Sequence, residues 1–201
     1  MERWLTSDLH LGHTNIITYC ERPFADVAEM NEAIVESWNA QVAPGDEVEV
    51  EGDVAMGKLT DTLPLVRRLN GRKTLRLGNH DRPHPLHGRR ATGWAERYID
   101  AGFEAILPEV GRLRVGRHRV LACHFPYRGD SKENDRFVDA RPSDTGEWLV
   151  HGHVHDTWRQ RGRQINVGLD AWGGRLVHVD EIAALIDAGP CELARISWPV
   201  R

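Results

Sequence analysis

Residues 149–156 have the sequence LVHGHVHD, and they overlap a short apolar run, residues 148–150, that predicts a buried strand. Gly152 predicts a tight turn directly after that strand, so the histidines would leave its end in a fixed arrangement. Neutral imidazole is a common ligand for transition metals, and a rigid segment that presents two imidazoles loses little entropy when a metal binds. Taken alone, the stretch fits a histidine-rich surface turn as well as a metal site. The choice depends on whether other strands bring carboxylates to it.

Other predicted strands also end in polar side chains. Strand 4–6 leads into Asp8 and His10, and strand 47–51 leads into a Gly-Asp pair at 52–53. Strand 73–77 is followed by the sequence GNHD, residues 78–81, and strand 119–123 by a histidine. Because ligand sites in open α/β sheets collect at the carboxyl ends of strands, we expect these side chains to lie close together. The candidate metal ligands are Asp8, His10, Asp53, Asn79, His124, His153 and His155.

These candidate ligands are all oxygen or nitrogen donors. Such a mixture suits borderline divalent metals, of which manganese is favoured here and iron, nickel and zinc are alternatives. The set exceeds what one ion needs, whereas two ions about 3.5–4 Å apart that share a bridging carboxylate would use all of it. Asp53 is the candidate bridge, since the glycine before it lets the backbone come close to a ligand.

The rest of the pattern alternates strands with helices. Amphipathic spacing predicts a helix over 26–42 with Asp26 as its N-cap, and another over 59–69 with Thr60 or Asp61 as its cap. This alternation predicts an α/β fold with parallel strands and crossover helices. Further helices are predicted over 94–101 and 181–187, and further strands over 110–115, 119–123, 164–167 and, as the last strand, 175–179.

Two polar stretches are predicted to be loops. Residues 82–93 lie near the candidate site, and His84 and His87 are expected to be solvated there rather than to bind metal. Residues 128–146 are expected to form a plain surface excursion, in preference to a cover over the site. A solvated hairpin, in preference to a phosphate-binding role, is expected for Arg159, Arg161 and Arg163.

The composition bounds the class of protein. The 201-residue chain is 40% hydrophobic, enough to bury one sizeable core, and a single domain over 1–201 is expected. A formal net charge of −4 gives no overall field that would attract nucleic acid. Cys20, Cys123 and Cys191 are odd in number and include no CxxC pair, which argues against a disulfide framework and a thiolate zinc site. Apolar runs are too short for a signal peptide or a membrane span, so a cytoplasmic location without membrane contact is expected.

The order of the motifs is more specific than any one of them. The chain has D-x-H at 8–10, G-D at 52–53, G-N-H-D at 78–81, H at 124 and G-H-x-H at 152–155, which together resemble the calcineurin-like metallophosphoesterase superfamily. The stretch SDLHLGHTNIITYCERPF, residues 7–24, resembles small bacterial and phage members. The resemblance implies a four-layer α/β/β/α sandwich with mixed sheets.

The resemblance also implies a role for each matched residue. Asp8, His10 and His155 would hold the first of two divalent ions, Asn79, His124 and His153 would hold the second, and Asp53 would bridge them. His80 would contact the phosphate or protonate the leaving group, while His13 and Arg82 would bind substrate. The implied mechanism is attack on phosphorus by a hydroxide that bridges the ions. The expected activity is therefore hydrolysis of phosphodiesters, with cyclic nucleotides among the candidates.

Some features leave other functions open. Met56 stands where many superfamily members carry a second acid, and the chain lacks the motifs of the protein Ser/Thr phosphatase branch. A phosphomonoesterase or a nuclease of the same fold is the nearest alternative. The nuclease would need a basic track, and the only hint of one is the cluster of Arg159, Arg161 and Arg163 together with Arg89 and Arg90. A metal-bound binding module without catalysis ranks below the enzyme, because no ligand is missing. The expected partner is a small phosphate ester, ahead of nucleic acid.

Overall fold

The structure is a computed structural model, and it describes residues 1–199, so positions 200 and 201 of the predicted domain lie outside the described residues. The strands are β1 (Arg3–Thr6), β2 (Glu47–Val50), β3 (Arg72–Arg76), β4 (Phe103–Leu107), β5 (Val110–Val115), β6 (His118–Cys123), β7 (Leu149–His151), β8 (Gln160–Gly162), β9 (Gln164–Asn166), β10 (Val177–His178) and β11 (Cys191–Leu193). The α-helices are α1 (Thr14–Tyr19), α2 (Val27–Gln41), α3 (Leu59–Thr62), α4 (Trp94–Asp100) and α5 (Val179–Ala188). Short 3₁₀ helices span Leu63–Arg68, Pro85–Ala91, Val138–Ala140 and Leu169–Ala171.

The strands form two mixed sheets. The first has the order β10-β1-β2-β3-β4, in which only β10 runs antiparallel to its neighbour. The second has the order β11-β8-β9-β7-β6-β5, with parallel pairing of β6, β7 and β9 at its centre. The expected α/β class with two mixed sheets, that of a metallophosphoesterase-type sandwich, is confirmed.

The side-chain alternation of the strands separates the core into layers. On β2, Val48 and Val50 join the cluster that contains the apolar face of α2, so the helices cover this face of the first sheet. On β6, Val120 joins the cluster shared by both sheets, whereas Leu121 on the opposite face joins a smaller cluster. That smaller cluster also contacts Phe137, so the segment 128–146 covers the outer face of the second sheet.

Several element predictions are confirmed. Helix α2 begins after Asp26, whose carboxylate accepts hydrogen bonds from the backbone N–H groups of Ala28 and Glu29 at 2.9 Å each. The hairpin of β5 and β6 and the hairpin of β8 and β9 are present. Among residues 1–199, no helix combines the length and the apolar character needed to cross a bilayer.

Other element predictions are wrong. The helix expected over 59–69 is α-helical only to Thr62 and continues as 3₁₀, since Pro64 has no N–H for the α pattern. Its N-cap is Lys58, which makes no capping bond, and not Thr60 or Asp61. The sequence pattern does not predict strands β4 and β11, and the predicted last strand, 175–179, is reduced to the two residues of β10. His178 caps α5 in a capping box and so ends that strand.

The two sheets meet at the carboxyl ends of their strands. Ser7, just after β1, forms an isolated parallel bridge with Gly168, which follows β9, and Ser7 O accepts a hydrogen bond from Leu169 N at 3.1 Å. The segment after β1 also pairs with the segment after β2, because His10 N donates to Asp53 O at 3.0 Å. This edge gathers the polar strand ends into one place.

Candidate metal centre

The first group of candidate ligands converges at this edge. One donor atom from each of Asp8, His10, Asp53 and His155 lies within 4.8 Å of every other. Nε2 of His10 lies 3.8 Å from Asp8 Oδ1 and 3.8 Å from Asp53 Oδ2, and Nε2 of His155 lies 3.7 Å from Asp8 Oδ1. These distances leave room for a cation between the donors, at usual metal–ligand distances of about 2.0–2.2 Å.

The second group adjoins the first through Asp53. Nε2 of His124 lies 3.6 Å from Asp53 Oδ2 and 3.2 Å from Asn79 Oδ1, and Nδ1 of His153 lies 2.9 Å from the same Asn79 oxygen. The structure therefore brings together every ligand that the sequence proposed. Asp53 lies between the two groups, where a bridging carboxylate would have to be.

The backbone at these positions is strained. Asp8, His10, Asp53, His153 and His155 all have positive φ, between 48° and 70°. Positive φ is uncommon for residues other than glycine, and such strain is kept where surrounding contacts fix it, often at functional sites. The rest of the protein thus contributes free energy to hold these side chains in place.

Hydrogen bonds fix which nitrogen of each second-group histidine faces the site. Nδ1 of His124 donates to Glu51 O at 2.7 Å, so Nε2 is the nitrogen that faces Asn79 and could bind a metal. Nε2 of His153 lies 3.1 Å from Asp130 Oδ2, so Nδ1 presents its lone pair to the same oxygen. Lone pairs and an amide oxygen that point at one another are complementary to a cation.

Burial explains the protonation of the first group. It raises the pKa of Asp8 and of Asp53 to about 7, and it lowers the pKa of His155 to about 3. Burial, with His155 nearby, also lowers the pKa of His10 well below its usual value. Asp8 Oδ1 and Asp53 Oδ2 are buried without a hydrogen-bond partner. A divalent ion would supply the missing partner, so the donor set fits such an ion.

Two buried networks that the sequence did not reveal hold the loops of the site. Asp81 accepts hydrogen bonds from Gly78 N at 2.8 Å and Asp53 N at 2.9 Å, and thereby joins the G-D and G-N-H-D segments. Arg22 makes a two-pronged ion pair with Asp170, at 2.8 and 2.9 Å, and donates to Asp8 O at 2.8 Å. No periodic pattern marks Arg22 or Asp170 in the sequence.

An open cleft leads to the cluster. It has a volume of about 200 Å³ and is lined by His10, His13, Tyr19, Asp53, Met56, Asn79, His80, Ser131, Lys132, Arg136, His153 and His155. His80 N donates to Asp53 Oδ1 at 2.8 Å, and its side chain is 38% exposed. Burial of the ring lowers the pKa of His80 to about 4, so the neutral imidazole is the form present near neutral pH.

The two residues predicted to bind substrate lie in different places. His13 is half-buried in the cleft, with its ring centroid 5.2 Å from that of His10. Arg82 is exposed and lines a second cavity, of about 180 Å³, together with His87. His80 and Met56 line both cavities and so lie between them.

The loop expectations need correction. His84 is buried, not solvated, because it packs edge-on against Phe125 with ring centroids 5.9 Å apart. Residues 128–146 are not a plain surface excursion, since Lys132 and Arg136 line the cleft and Asp130 is buried against His153. Arg161 and Arg163 of the hairpin are exposed, as expected, and Arg161 lies over the ring of Trp158. Arg159 is instead half-buried, because its guanidinium packs over the ring of Trp172.

Gly152 is required for a different reason than the tight turn predicted from the sequence. Its φ is not positive, but an added Cβ would collide with Ser7 Oγ and would lie 2.7 Å from Asp8 Oδ2. The glycine is thus needed for close approach of the two sheets rather than for a left-handed turn.

The fold is an α/β sandwich of two mixed sheets, and the cluster of aspartate and histidine side chains at its edge could hold a metal ion. The chain is 38% identical, over 92% of its length and 93% of the relative, to the Gene 66 protein of Mycobacterium phage L5. It therefore belongs to the family of the mycobacteriophage Gene 66 proteins. It is also 28% identical to the protein MJ1445 of Methanocaldococcus jannaschii, over 92% of each chain. The chain matches no protein-family model.

A solved structure of a protein of unknown function shows the same fold. The protein of unknown function AQ665 from Aquifex aeolicus superposes with a TM-score of 0.67 at 22% identity, covering 92% of this chain and 98% of that one. The phosphoesterase Yfce from E. coli matches with a TM-score of 0.41 at 16% identity, covering 84% and 78% of the two chains.

Proposed function

We propose that this protein is a dinuclear metal-dependent phosphoesterase that prefers phosphodiesters. One observation carries the proposal: oxygen and nitrogen donors from several strand ends converge on two buried carboxylate oxygens that have no partner within the described chain. A structural role alone does not account for such a cluster, because burying unpaired carboxylates costs free energy. Binding of cations would recover that cost.

The geometry suggests how the donors divide. Asp8, His10 and His155 would hold one ion, Asn79, His124 and His153 would hold the other, and Asp53 would contact both; manganese is the favoured metal, with iron, nickel and zinc as alternatives. When bound, such ions would activate water for attack on phosphorus and stabilise negative charge on the phosphoryl oxygens.

His80 is the proposed catalytic residue outside the ligand set. Its imidazole lies at the cleft, with Nε2 4.0 Å from Asp53 Oδ2. A neutral imidazole with a pKa of about 4 is a hydrogen-bond donor, so a contact to a phosphoryl oxygen suits it better than proton transfer to the leaving group. His13, half-buried beside His10, also lines the cleft and is proposed to contact the substrate.

The position of His80 supports a diester over a monoester. A phosphodiester carries two organic groups, and the two cavities that meet at His80 offer a place for each. The cavity beyond His80 is lined by Arg82 and His87, and the first cavity is lined by Lys132 and Arg136. The cationic side chains of Arg82, Lys132 and Arg136 suit a small anionic ester as the substrate.

The test uses protein stripped of metal and then supplied with manganese. Turnover of bis-p-nitrophenyl phosphate is compared with that of p-nitrophenyl phosphate, using Asp53→Asn and, as a matched control, Asp139→Asn at an exposed position of the 3₁₀ helix Val138–Ala140. We expect diester turnover that requires manganese, is lost in Asp53→Asn and survives in Asp139→Asn. Faster turnover of the monoester would favour a phosphomonoesterase. Two bound ions without turnover of either ester would contradict an enzymatic role.

A further inference from the structure

We infer that Tyr19 is a stacking platform that selects phosphate esters bearing a nucleoside. This inference rests on the proposed function and specifies the substrate class of the same cleft. The platform would bind the planar base, while the phosphate lies at the metal cluster and the second ester group lies beyond His80.

The exposure of Tyr19 is the first observation. Its side chain lines the cleft and the residue is 64% exposed, and it is the only aromatic residue among the exposed large hydrophobic residues between positions 1 and 199. Isolated exposed apolar residues are common on protein surfaces, so exposure alone carries little weight. What distinguishes Tyr19 is its place on the wall of the cleft that leads to the candidate ligands.

The backbone around Tyr19 is held firmly. It is the last residue of α1, and its neighbour Cys20 is buried and donates its backbone N–H to Ile16 O at 3.0 Å. Two residues further on, Arg22 is fixed by Asp170. An aromatic ring presented from a fixed backbone loses little conformational freedom when a ligand stacks on it, since only two side-chain torsions must be ordered.

A neighbouring ring orients Tyr19. The His13 ring lies 6.2 Å from that of Tyr19, centroid to centroid, and the two planes are inclined at 79°. His13 in turn lies beside His10 of the candidate metal cluster, with ring centroids 5.2 Å apart. This chain of rings leads from the cleft mouth to the cluster, a short path between a stacked base and its phosphate.

The two cavities assign a direction to the substrate. Of these two cavities, Tyr19 lines that of the metal cluster, and Arg82 lines that beyond His80. The nucleoside therefore lies on the Tyr19 side, and the alcohol that leaves lies on the Arg82 side. Lys132 and Arg136, which line the same cavity, provide positive charge for the phosphate of such a ligand.

The experiment compares two diesters with the same leaving group. Thymidine 5′-(p-nitrophenyl phosphate) carries a base, whereas methyl p-nitrophenyl phosphate does not, and both release p-nitrophenol. In the manganese-loaded protein, Tyr19→Ala should lower kcat/KM for the thymidine ester about tenfold or more, because aromatic–base stacking contributes that much to binding. The methyl ester should change less than about twofold, and Tyr19→Phe, which keeps the ring, should resemble the wild type. An equal loss for both esters, or a loss for neither, would overturn the inference.

A binding measurement separates this inference from the proposed function. AMP and ribose 5-phosphate share a phosphate and a sugar, but only AMP carries a base. Calorimetry on the manganese-loaded wild type should show tighter binding of AMP, and Tyr19→Ala should remove most of that difference. If no ester is hydrolysed but AMP still binds more tightly than ribose 5-phosphate through Tyr19, the proposed function is wrong and the inference about Tyr19 is supported. Equal affinities for both compounds in the wild type would contradict the inferred role of Tyr19, whatever the turnover of the esters.

Discussion

Nε2 of His10 lies 3.2 Å from Nε2 of His155, although the two residues are 145 positions apart in the chain. Both rings are buried or nearly so, and both have pKa values held below the usual range by burial, so they face each other as neutral imidazoles. Asp8 lies beside both and has one carboxylate oxygen without a partner. A site that gathers neutral nitrogens and unpaired oxygens is prepared for a cation, and this arrangement underlies the predictions below.

Replacement of His80 tests its place in the chemistry. His80→Ala should lower kcat for bis-p-nitrophenyl phosphate roughly 100-fold or more, because it removes a positioned donor next to the phosphate. Manganese content should remain that of the wild type, since His80 is not among the proposed ligands. The measurement is steady-state turnover together with metal analysis of the same sample.

His118→Ala provides the matched control for His80. His118 lies on β6 and contacts Asp187 at 2.8 Å, outside the residues that line the cleft. Its replacement should leave turnover close to that of the wild type. If His80→Ala retained normal turnover, His80 would have no part in the reaction.

Replacement of Asp130 tests the support of the second group of ligands. Asp130 contacts His153 Nε2 at 3.1 Å, and hydrogen bonds from His153 and Arg136 outweigh its burial and hold its pKa well below the usual range. Asp130→Asn should weaken manganese binding about 10- to 100-fold, the usual effect of removing an outer-shell carboxylate from a metal-bound histidine. Calorimetric titration of metal-stripped protein with manganese measures this change in affinity. The control Asp139→Asn, in the same segment, should bind manganese as the wild type does.

Replacement of Asp170 should reveal how much the buried ion pair with Arg22 stabilises the fold. Asp170→Asn leaves the guanidinium of Arg22 buried without its counter-ion, so the free energy of unfolding at pH 7 should fall by about 3–5 kcal/mol. Although burial alone would raise the pKa of Asp170, Arg22 outweighs it, and the folded-state pKa lies below the usual value.

The sign of the pH dependence of the Asp170→Asn effect follows from that lowered pKa. A carboxyl with a lowered folded-state pKa stabilises the fold at every pH above its unfolded value, about 3.9, and loses this contribution as the pH falls towards the folded value. The difference between wild type and Asp170→Asn should therefore be constant from pH 7 to about pH 4.5 and should shrink below pH 4. Urea unfolding of both proteins at several pH values measures this difference in the free energy of unfolding. A difference that grew on acidification would contradict this account of the pair.

Gly152 should not tolerate a methyl group. Gly152→Ala would place a carbon against Ser7 Oγ and 2.7 Å from Asp8 Oδ2, which should lower the free energy of unfolding by about 1–3 kcal/mol and displace a metal ligand. Gly45→Ala is the control, since nothing lies within 4 Å of an added Cβ there and its φ is not positive. Thermal unfolding with and without manganese should show that Gly152→Ala also gains less stability from the metal than Gly45→Ala does.

The candidate ligands could be predicted from the sequence because each follows a strand that the local pattern marks. β1 leads into Asp8, β2 into Asp53 and β7 into His153, and parallel strands present their carboxyl ends at one edge. α2 with its Asp26 cap is equally local, since its signal lies in spacing and capping within one helix. The sequence by itself therefore determined the α/β class and which side chains meet in the candidate site.

The supports of the site were decided only by the tertiary structure. Arg22 and Asp170 are 148 positions apart, and neither lies on a periodic face, so only the folded chain shows that they fix the Asp8 segment. Asp130 and Lys132 lie in a polar segment whose composition alone favours solvent, yet the segment turns back over His153. Arg82 follows the G-N-H-D motif directly but lies in the cavity beyond His80. Strand-end chemistry is local and appears in sequence, whereas loop paths depend on long-range contacts that leave no local pattern.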